Sequence, residues 1–555
     1  MIGQGVLRVS RSFCSVGVLL GTLFFAASLT PSLVPRSFAL QGLLSGCSFA
    51  AGYGIGVFAR WLWNYMGLPP FSPFVERLTK WSAATICGVF VAIFLWKASE
   101  WQNSIRLPMG LDPVETGRPL EVGAIAFVVF MAILMVARLF ALVRNTSSGR
   151  LKRHIPPRVA NVLGLVIAAL LFWSVVDGVI FRFGLRAADS SFRQLDALMQ
   201  SDVDRPADPA KTGSDASLVG WGDLGRMGRS FVASGPTADE ISGLTDRPAM
   251  EPIRVYVGLN SAETYADRAR LALQEMLRTG AFEREILVVI TPTGTGWVDP
   301  AAMDTLEYLH DGDVASVAVQ YSYLTSWLSL LIEPGYGAEA ARALFTEIYR
   351  HWTSLPRDAR PRLYLHGLSL GALNSDLSVD LFDIVGDPFQ GALWSGPPFS
   401  TPKWRAAIND REPGSPAWLP RFGDGSVMRF TNQENHLGNA VAPWGPLRIV
   451  YLQYASDPVT FFEPSAVYRE PDWMADARAP DVSPALRWTP VVTLLQLGLD
   501  MALATTTPIG FGHVYAPEDY IDAWVSLTDP EAWDETSIAR LKASFADRPR
   551  PEDAD

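Results

Sequence analysis

Five uncharged, mainly apolar stretches in the first third of the chain constrain its fold most strongly. A helix needs about 20 mainly apolar residues to cross the hydrocarbon core of a bilayer. The stretches are 24, 23, 16, 16 and 18 residues long and cover residues 12–35, 37–59, 81–96, 122–137 and 159–176. The 16-residue stretches are short for a span, although the fourth stretch can continue past Arg138 if that side chain faces other helices. We therefore predict a transmembrane domain of about five helices over residues 1–182.

The basic residues of the short loops predict the orientation of these helices. Lysine and arginine are frequent before the first span, between the second and third, and between the fourth and fifth: Arg8, Arg11, Arg60, Arg77, Lys80, Arg138, Arg144, Arg150, Lys152, Arg153 and Arg158. The opposite loops hold only Arg36, Lys97, Arg106 and Arg118. Because basic loops stay in the cytoplasm, we expect a multi-pass protein of the cytoplasmic (inner) membrane, with its N-terminus inside and all residues after the fifth span outside. Alternatively, residues 1–30 are a cleaved signal peptide with a basic start.

The segment from Thr30 to Arg36 contains Pro31 and Pro35, and proline is not tolerated in a helix interior. The simplest interpretation is a turn between two spans. The alternative is a segment that lines a site at the membrane, with Arg36 as the contact for an anion.

A linker and a soluble domain are predicted after the last span. Residues 183–250 are rich in Asp, Ser, Gly, Ala and Pro, which favours a linker with some ordered loops. Over residues 251–545, apolar strand patterns alternate with helical patterns, and this alternation is typical of a mainly parallel sheet with helices on both faces. The predicted strands cover residues 253–259, 286–290, 316–323, 363–366, 391–396 and 448–454, and helices are predicted over 262–278 and 338–352. The charged tail, residues 546–555, is predicted to be disordered.

A serine between two glycines follows the fourth predicted strand. In Gly367-Leu368-Ser369-Leu370-Gly371, small residues stand two positions before and two positions after the serine. A nucleophile elbow needs this pattern, because its strand-to-helix turn is too tight for larger side chains there. Ser369 is therefore the candidate nucleophile, although glycines also flank serines in ordinary loops.

A serine nucleophile needs a histidine base and a carboxylate that orients it. In the α/β-hydrolase arrangement they follow in the order serine, acid, histidine. Asp457 comes directly after the strand at 448–454 and is followed by Pro458, so it is the candidate acid. A plain Asp-Pro turn is the alternative, and Asp376 and Asp380 are rival acids on the predicted elbow helix.

Elimination among the six histidines leaves His513 as the candidate base, in a glycine-rich loop near the C-terminus. The others lie in a basic loop, before the serine, on a helix, in the elbow strand or before the acid: His154, His310, His351, His366 and His436. A structural loop histidine is the alternative interpretation of His513.

Two loops supply candidate amides for an oxyanion hole. The Leu370 amide directly follows the nucleophile, and the loop after the strand at 286–290 contains Gly294, Thr295 and Gly296. A nucleotide-binding loop is disfavoured because the Gly-Lys-Ser/Thr ending is missing. A simple tight turn remains the alternative.

Composition argues against other classes of function. The net charge of −11 does not favour nucleic acid as a partner. All three cysteines lie in the apolar first third, and the histidines are scattered, so we expect no metal site and no cofactor.

The motifs together resemble a family of bacterial multi-pass membrane proteins with a C-terminal α/β-hydrolase domain. The matching segments are residues 30–36, 228–232, 291–299, 320–323, 367–371 and 512–513. The chain departs from the pattern at Thr325, where many such families have proline. The resemblance implies an α/β-hydrolase fold and supports Ser369, Asp457 and His513 without naming a substrate.

The expected function is that of a membrane-anchored serine hydrolase acting on ester bonds, in the manner of an esterase or lipase. The apolar first third points to membrane lipids as partners and to a lipid or cell-envelope ester as substrate. Two alternatives are an acyltransferase that uses the same triad, and a catalytically silent membrane scaffold or receptor with a hydrolase fold. The sequence makes no prediction about protein partners.

Overall fold

The computed structural model describes residues 13–69, 72–181, 196, 199, 203–324 and 335–546. Internal contacts divide the chain into two units. The helical unit consists of Met1–Leu185 and Phe462–Thr507, and the sheet unit consists of Arg186–Phe461 and Pro508–Asp555. The sequence predicted one continuous domain over 251–545, whereas the structure groups Phe462–Thr507, called the excursion below, with the helical unit. Thr325 and residues 547–555 of the predicted tail lie outside the described residues.

Among the described residues, the first part of the helical unit has five helices: α1 (Ser15–Ser28), α2 (Phe38–Tyr65), α3 (Pro73–Arg106), α4 (Pro119–Leu151) and α5 (Pro157–Val175), which continues as a wider turn over Val176–Phe181. Four segments among the described residues are long and apolar enough to cross a membrane: Phe38–Tyr65, Arg77–Arg106, Pro119–Leu151 and Pro157–Gly178. They correspond to predicted spans two to five, and they indicate that the protein associates with a membrane.

The first predicted span is shorter than expected. Helix α1 has 14 residues and ends at Ser28, before Pro31 and Pro35. At about 1.5 Å per residue it is about 21 Å long, less than the roughly 30 Å of a hydrocarbon core. The structure therefore has four candidate spans and one shorter apolar helix where the sequence predicted five spans.

Glycines allow α1 and α2 to pack closely. A methyl group on Gly56 of α2 would lie 2.6 Å from the Cα atom of Gly17 in α1. Small residues at such crossings are typical of helices that associate in membranes, because they let two backbones approach each other.

The excursion packs against these helices within the helical unit. It contains α14 (Asp472–Ala475) and α15 (Val492–Ala502), and α15 contacts α1 and α2. The Gln496 side-chain amide donates to the Thr30 carbonyl at 3.0 Å, and the hydroxyls of Ser104 and Ser483 are 2.6 Å apart. The excursion is therefore held at the end of the helices where α1 ends, α2 begins and α3 ends.

The sheet unit is built on seven parallel strands: β1 (Ile253–Val257), β2 (Ile286–Thr291), β3 (Val314–Val319), β4 (Arg362–Leu368), β5 (Gly391–Ser395), β6 (Met428–Thr431) and β7 (Arg448–Leu452). Their order across the sheet is β1-β3-β2-β4-β5-β7-β6, and all six pairings are parallel. The predicted parallel sheet is thus confirmed, with the edge strand β6 added.

Helices cover the sheet. The α-helices described in this unit are α6 (Gly225–Ala233), α7 (Ala238–Thr245), α8 (Tyr265–Thr279), α9 (Pro300–Leu309), α10 (Tyr336–Ser354), α11 (Leu370–Ser378), α12 (Leu381–Ile384), α13 (Pro402–Asn409), α16 (Pro517–Thr528) and α17 (Glu535–Ala546). Every residue of β1, β2, β3 and β5 is buried. Since successive side chains of a strand point to opposite faces, complete burial means that both faces are covered.

The strand register brings four strand ends together at one edge of the sheet. Thr291 at the end of β2 pairs with Gly367, Leu368 at the end of β4 pairs with Ser395, and Ser395 pairs with Leu452. The loops that follow β2, β4, β5 and β7 therefore start side by side, as expected for the carboxyl edge of a parallel sheet.

Candidate active site

Ser369 lies in a strained turn between β4 and α11. Its backbone angles are φ 59° and ψ −126°, in a region that residues other than glycine rarely adopt. Such a conformation costs roughly 1–3 kcal/mol and persists only where the surrounding structure enforces it. Since Leu370 is the first residue of α11, its amide has no carbonyl partner within that helix. This geometry matches the nucleophile elbow that the sequence predicted.

Two glycines make the turn possible. A methyl group on Gly367 would lie 2.4 Å from the carbonyl carbon of Gly371. A methyl group on Gly371 would lie 2.2 Å from the Thr291 carbonyl oxygen. Both neighbours are backbone atoms, so neither can move aside easily. The loop after β2 is therefore in direct contact with the elbow.

Asp457 and His513 are joined by a short hydrogen bond. Nδ1 of His513 lies 2.7 Å from Oδ2 of Asp457, and the aspartate is fully buried. Asp457 also accepts from the Val459 amide at 2.8 Å and from the Thr460 hydroxyl at 3.2 Å. An Nδ1–H donated to the carboxylate leaves Nε2 of His513 as a proton acceptor. This Nε2 is buried and has no hydrogen-bond partner among the described residues.

The end of β5 lies between the serine and the histidine. The Ser369 amide donates to the Ser395 carbonyl at 3.0 Å. The next residue, Gly396, has φ +50°, and a methyl group there would lie 2.6 Å from Cε1 of His513. The three sequence-predicted residues therefore meet around Ser395 and Gly396. Catalytic hydrogen bonds to a serine often tighten only when substrate binds.

One of the predicted oxyanion donors in the loop after β2 already has a hydrogen-bond partner, and the other donors remain predictions. The Gly296 amide donates to the Thr293 carbonyl at 2.9 Å, so Gly296 is wrong as an oxyanion donor. The side-chain amide of Gln320 stabilises the loop by donating to the Thr295 carbonyl at 3.3 Å. Leu370, Gly294 and Thr295 remain predictions, and the Leu370 amide has the clearest position.

Sequence reasoning missed Tyr515, a second donor to the acid. Its hydroxyl donates to Oδ2 of Asp457 at 2.8 Å, the same oxygen that contacts His513. Burial and the nearby Asp457 raise the pKa of Tyr515 well above its usual value, so the phenol keeps its proton. The spacing of two residues from His513 was the only available signal.

A second buried carboxyl, Asp299, lies close enough to His513 to interact with its charge. It accepts from the Tyr520 hydroxyl at 2.9 Å and from the Ala301 amide at 3.0 Å, where it caps α9. Burial raises the pKa of Asp299 to about 6, and a positive charge on His513 acts to lower it. An aspartate directly before a helix that begins with proline is typical of a helix N-cap, so the sequence did not indicate that Asp299 lies near His513.

The rival residues have other roles. Asp376 is buried and pairs with Lys403 at 2.9 Å, while Asp380 is exposed. The ring of His366 contacts the Leu393 carbonyl at 3.0 Å, and burial lowers the pKa of His366 to about 4. His436 lies by Asn439 beyond β6. These contacts favour Asp457 and His513 over their rivals.

Comparison with protein families agrees with this geometry. A model of an alpha/beta-hydrolase family matches residues 253–541, more than half of the 555 residues, and a model of the same family's N-terminus matches residues 29–236. The chain belongs to this alpha/beta-hydrolase family. The resemblance inferred from the motifs is thus confirmed, with apolar helices in the N-terminal region and a C-terminal sheet. Membership in the alpha/beta-hydrolase family suggests hydrolase activity. No curated protein and no solved structure matches the chain.

Proposed function

We propose that the protein is a membrane-anchored serine hydrolase that cleaves ester bonds through Ser369, His513 and Asp457. The observation that carries this proposal is the 2.7 Å hydrogen bond between His513 and Asp457 beside a strained Ser369. Nε2 of His513 is buried and lacks a hydrogen-bond partner in the part of the chain that the structure describes, and this supports the proposal further, since a buried polar atom without a partner is costly unless it has a use.

The proposed reaction begins with attack by Ser369 Oγ on the ester carbonyl carbon while Nε2 of His513 takes the serine proton. Asp457 holds the imidazole by Nδ1 and stabilises its positive charge. The Leu370 amide, with Gly294 or Thr295, donates to the oxygen that becomes negative. As the tetrahedral intermediate collapses, His513 returns the proton to the leaving alcohol oxygen. Water then cleaves the acyl-Ser369 bond by the same proton transfers and releases the acid.

A fluorophosphonate probe tests the nucleophile. The full-length protein in detergent micelles is expected to become labelled on Ser369, and Ser369→Ala is expected to lose the label completely, because Ser369 is the nucleophile of the proposed triad. Ser354→Ala, at the exposed end of α10, is the matched control and is expected to label normally. Equal labelling of wild type and Ser369→Ala excludes the proposal.

We propose a lipid or cell-envelope ester as the substrate, supported by the four described helices that are long and apolar enough to cross a membrane. Competition between an ester and the fluorophosphonate probe tests the preference for this class of substrate. A long-chain ester is expected to slow labelling of Ser369 more strongly than the acetate ester of the same alcohol. If both esters compete equally, the preference for a lipid-like acyl chain is excluded.

We propose that the sheet unit lies outside the cytoplasm. The basic residues cluster around the loop that joins α2 to α3 and the loop that joins α4 to α5, mostly on the adjoining helix ends, which favours a cytoplasmic position for these loops. These two loops lie on the same side of the membrane whether or not α1 crosses it. A periplasmic alkaline phosphatase reporter fused after residue 203 is expected to be active, and one fused after Arg153 inactive. The reverse pattern contradicts the orientation.

A further inference from the structure

The carboxylate of Asp457 accepts more than the hydrogen bond from the candidate base. Its Oδ1 accepts from the Val459 amide at 2.8 Å. Its Oδ2 accepts from the Tyr515 hydroxyl at 2.8 Å and from the Thr460 hydroxyl at 3.2 Å, and it lies 2.7 Å from Nδ1 of His513. All these residues belong to the sheet unit. The phenol and the imidazole therefore share one oxygen of the acid.

The ring of Tyr515 is held in place by a second tyrosine, Tyr454, which follows β7. The two rings are stacked, with centroids 4.4 Å apart and planes 23° from parallel. The Tyr454 hydroxyl accepts from the Ala516 amide at 2.9 Å and donates to the Asp519 carboxylate in α16. Since Ala516 is the chain neighbour of Tyr515, Tyr454 fixes both the side chain and the adjoining backbone. The phenol is thus held in a fixed position against Asp457.

The phenol of Tyr515 donates its hydrogen to Asp457 and keeps it. Burial and the charge of Asp457 raise the pKa of Tyr515 well above its usual value. The neighbouring phenols of Tyr454 and Tyr520 are also neutral, because burial raises the pKa of each well above the usual value. A neutral donor stabilises the charged form of a carboxylate. The carboxylate then attracts a positive charge on His513 less strongly.

We propose that Tyr515 is a positioning residue of the candidate triad, which fixes Oδ2 of Asp457 against His513 and limits how strongly this carboxylate stabilises the imidazolium. The inference rests on the proposed function of the triad. Tyr515 transfers no proton in the proposed reaction and acts on the base through the acid. Because only a neutral imidazole can take the proton of Ser369, this limit keeps His513 active as a base at lower pH.

The variant Tyr515→Phe tests the inference, since it removes the hydroxyl and keeps the ring that contacts Tyr454 and His513. The rate of fluorophosphonate labelling at Ser369 is measured on the full-length protein in detergent micelles between about pH 5 and pH 9. The rate is expected to rise with pH to a plateau. The midpoint of this rise is expected about 0.5 pH unit higher in Tyr515→Phe than in wild type. Well below the midpoint, the rate relative to the plateau is then about threefold lower.

Two further carboxyls near this site titrate in the same pH range. Asp299 interacts with the charge of His513, and burial raises the pKa of Asp299 to about 6. Burial also raises the pKa of Asp519, the partner of Tyr454, to about 7. Both carboxyls are present in wild type and in Tyr515→Phe, so the difference between the two midpoints reports on the phenol. The same difference is expected when both proteins also carry Asp299→Asn.

Tyr349→Phe is the matched control. The Tyr349 hydroxyl donates to the Asp387 carbonyl at 2.7 Å, and Asp387 precedes β5, whereas the candidate site lies after this strand. This variant is expected to keep the wild-type midpoint. The inference is overturned if the midpoint of Tyr515→Phe equals or falls below that of wild type, whatever its plateau rate, because a phenol that only supports the fold leaves the midpoint unchanged. A wild-type protein that is not labelled at Ser369 points instead to failure of the proposed function.

Discussion

Asp457→Asn is expected to lower kcat for ester hydrolysis about 10⁴-fold while the sheet unit stays folded. An asparagine amide donates a proton where the carboxylate accepts one, so His513 is forced to carry its hydrogen on Nε2 and cannot take the proton of Ser369. The Val459 amide still finds a carbonyl oxygen, which preserves the local turn. Turnover of a chromogenic ester by the purified protein measures the effect.

The rival carboxylate supplies the control for this substitution. Asp380 is exposed just after the C-terminal end of the elbow helix, and its side chain caps the next turn through the Phe382 amide. Asp380→Asn keeps that hydrogen bond and is expected to retain kcat within a factor of about two. A loss below tenfold for Asp457→Asn, or a comparable loss for Asp380→Asn, contradicts the assignment of the acid.

Gly371→Ala is expected to abolish labelling of Ser369 and to lower the free energy of unfolding by about 3 kcal/mol, the upper part of the range for overpacking. The added methyl group would lie 2.2 Å from the Thr291 carbonyl oxygen and 3.1 Å from that of Pro292. Since both oxygens belong to the backbone, the loop after β2 must move away from the elbow. That movement displaces Gly294 and Thr295, the remaining candidate oxyanion donors of this loop.

Gly386 offers a matched comparison for this variant. A methyl group there has no heavy atom within 4 Å, and the residue is exposed. Gly386→Ala is therefore expected to be labelled normally and to unfold at the wild-type temperature. Normal labelling of Gly371→Ala would show that the elbow tolerates a side chain, and the close contact with β2 would then have no role in the site.

The sheet could be predicted from the sequence because its central strands are buried on both faces and read as continuous apolar runs. The edge strand β6 was missed because it has only four residues, Met428–Thr431, and Arg429 interrupts its apolar character. The excursion was missed for a different reason. No local pattern in Phe462–Thr507 indicates which unit it packs against, since that depends on contacts with residues more than 400 positions away.

In the candidate site, too, some residues could be predicted from the sequence and others could not. Ser369, Asp457 and His513 could be selected because chain order and elbow glycines are local features. The exclusion of Gly296 required a backbone hydrogen bond to Thr293, which depends on the turn that the loop adopts. The role of Tyr515 could be recognised only from the structure, in which its hydroxyl donates a hydrogen bond to Asp457.

The buried Asp299 also makes the stability of the sheet unit depend on pH. Its pKa of about 6 in the folded state exceeds the ordinary value of 3.8. The stabilisation from this group is therefore complete below about pH 4 and is lost as pH rises through about 6. Between pH 5 and pH 7 the loss is on the order of 1 kcal/mol.

Asp299→Asn removes the titrating group while its amide oxygen can still accept from Ala301. The unfolding temperature of wild type is expected to fall more steeply from pH 5 to pH 7 than that of the variant, and parallel pH profiles would contradict this. With the sheet unit outside the cytoplasm, as proposed above, mild acidification of the surroundings would increase the stability of the unit that carries His513.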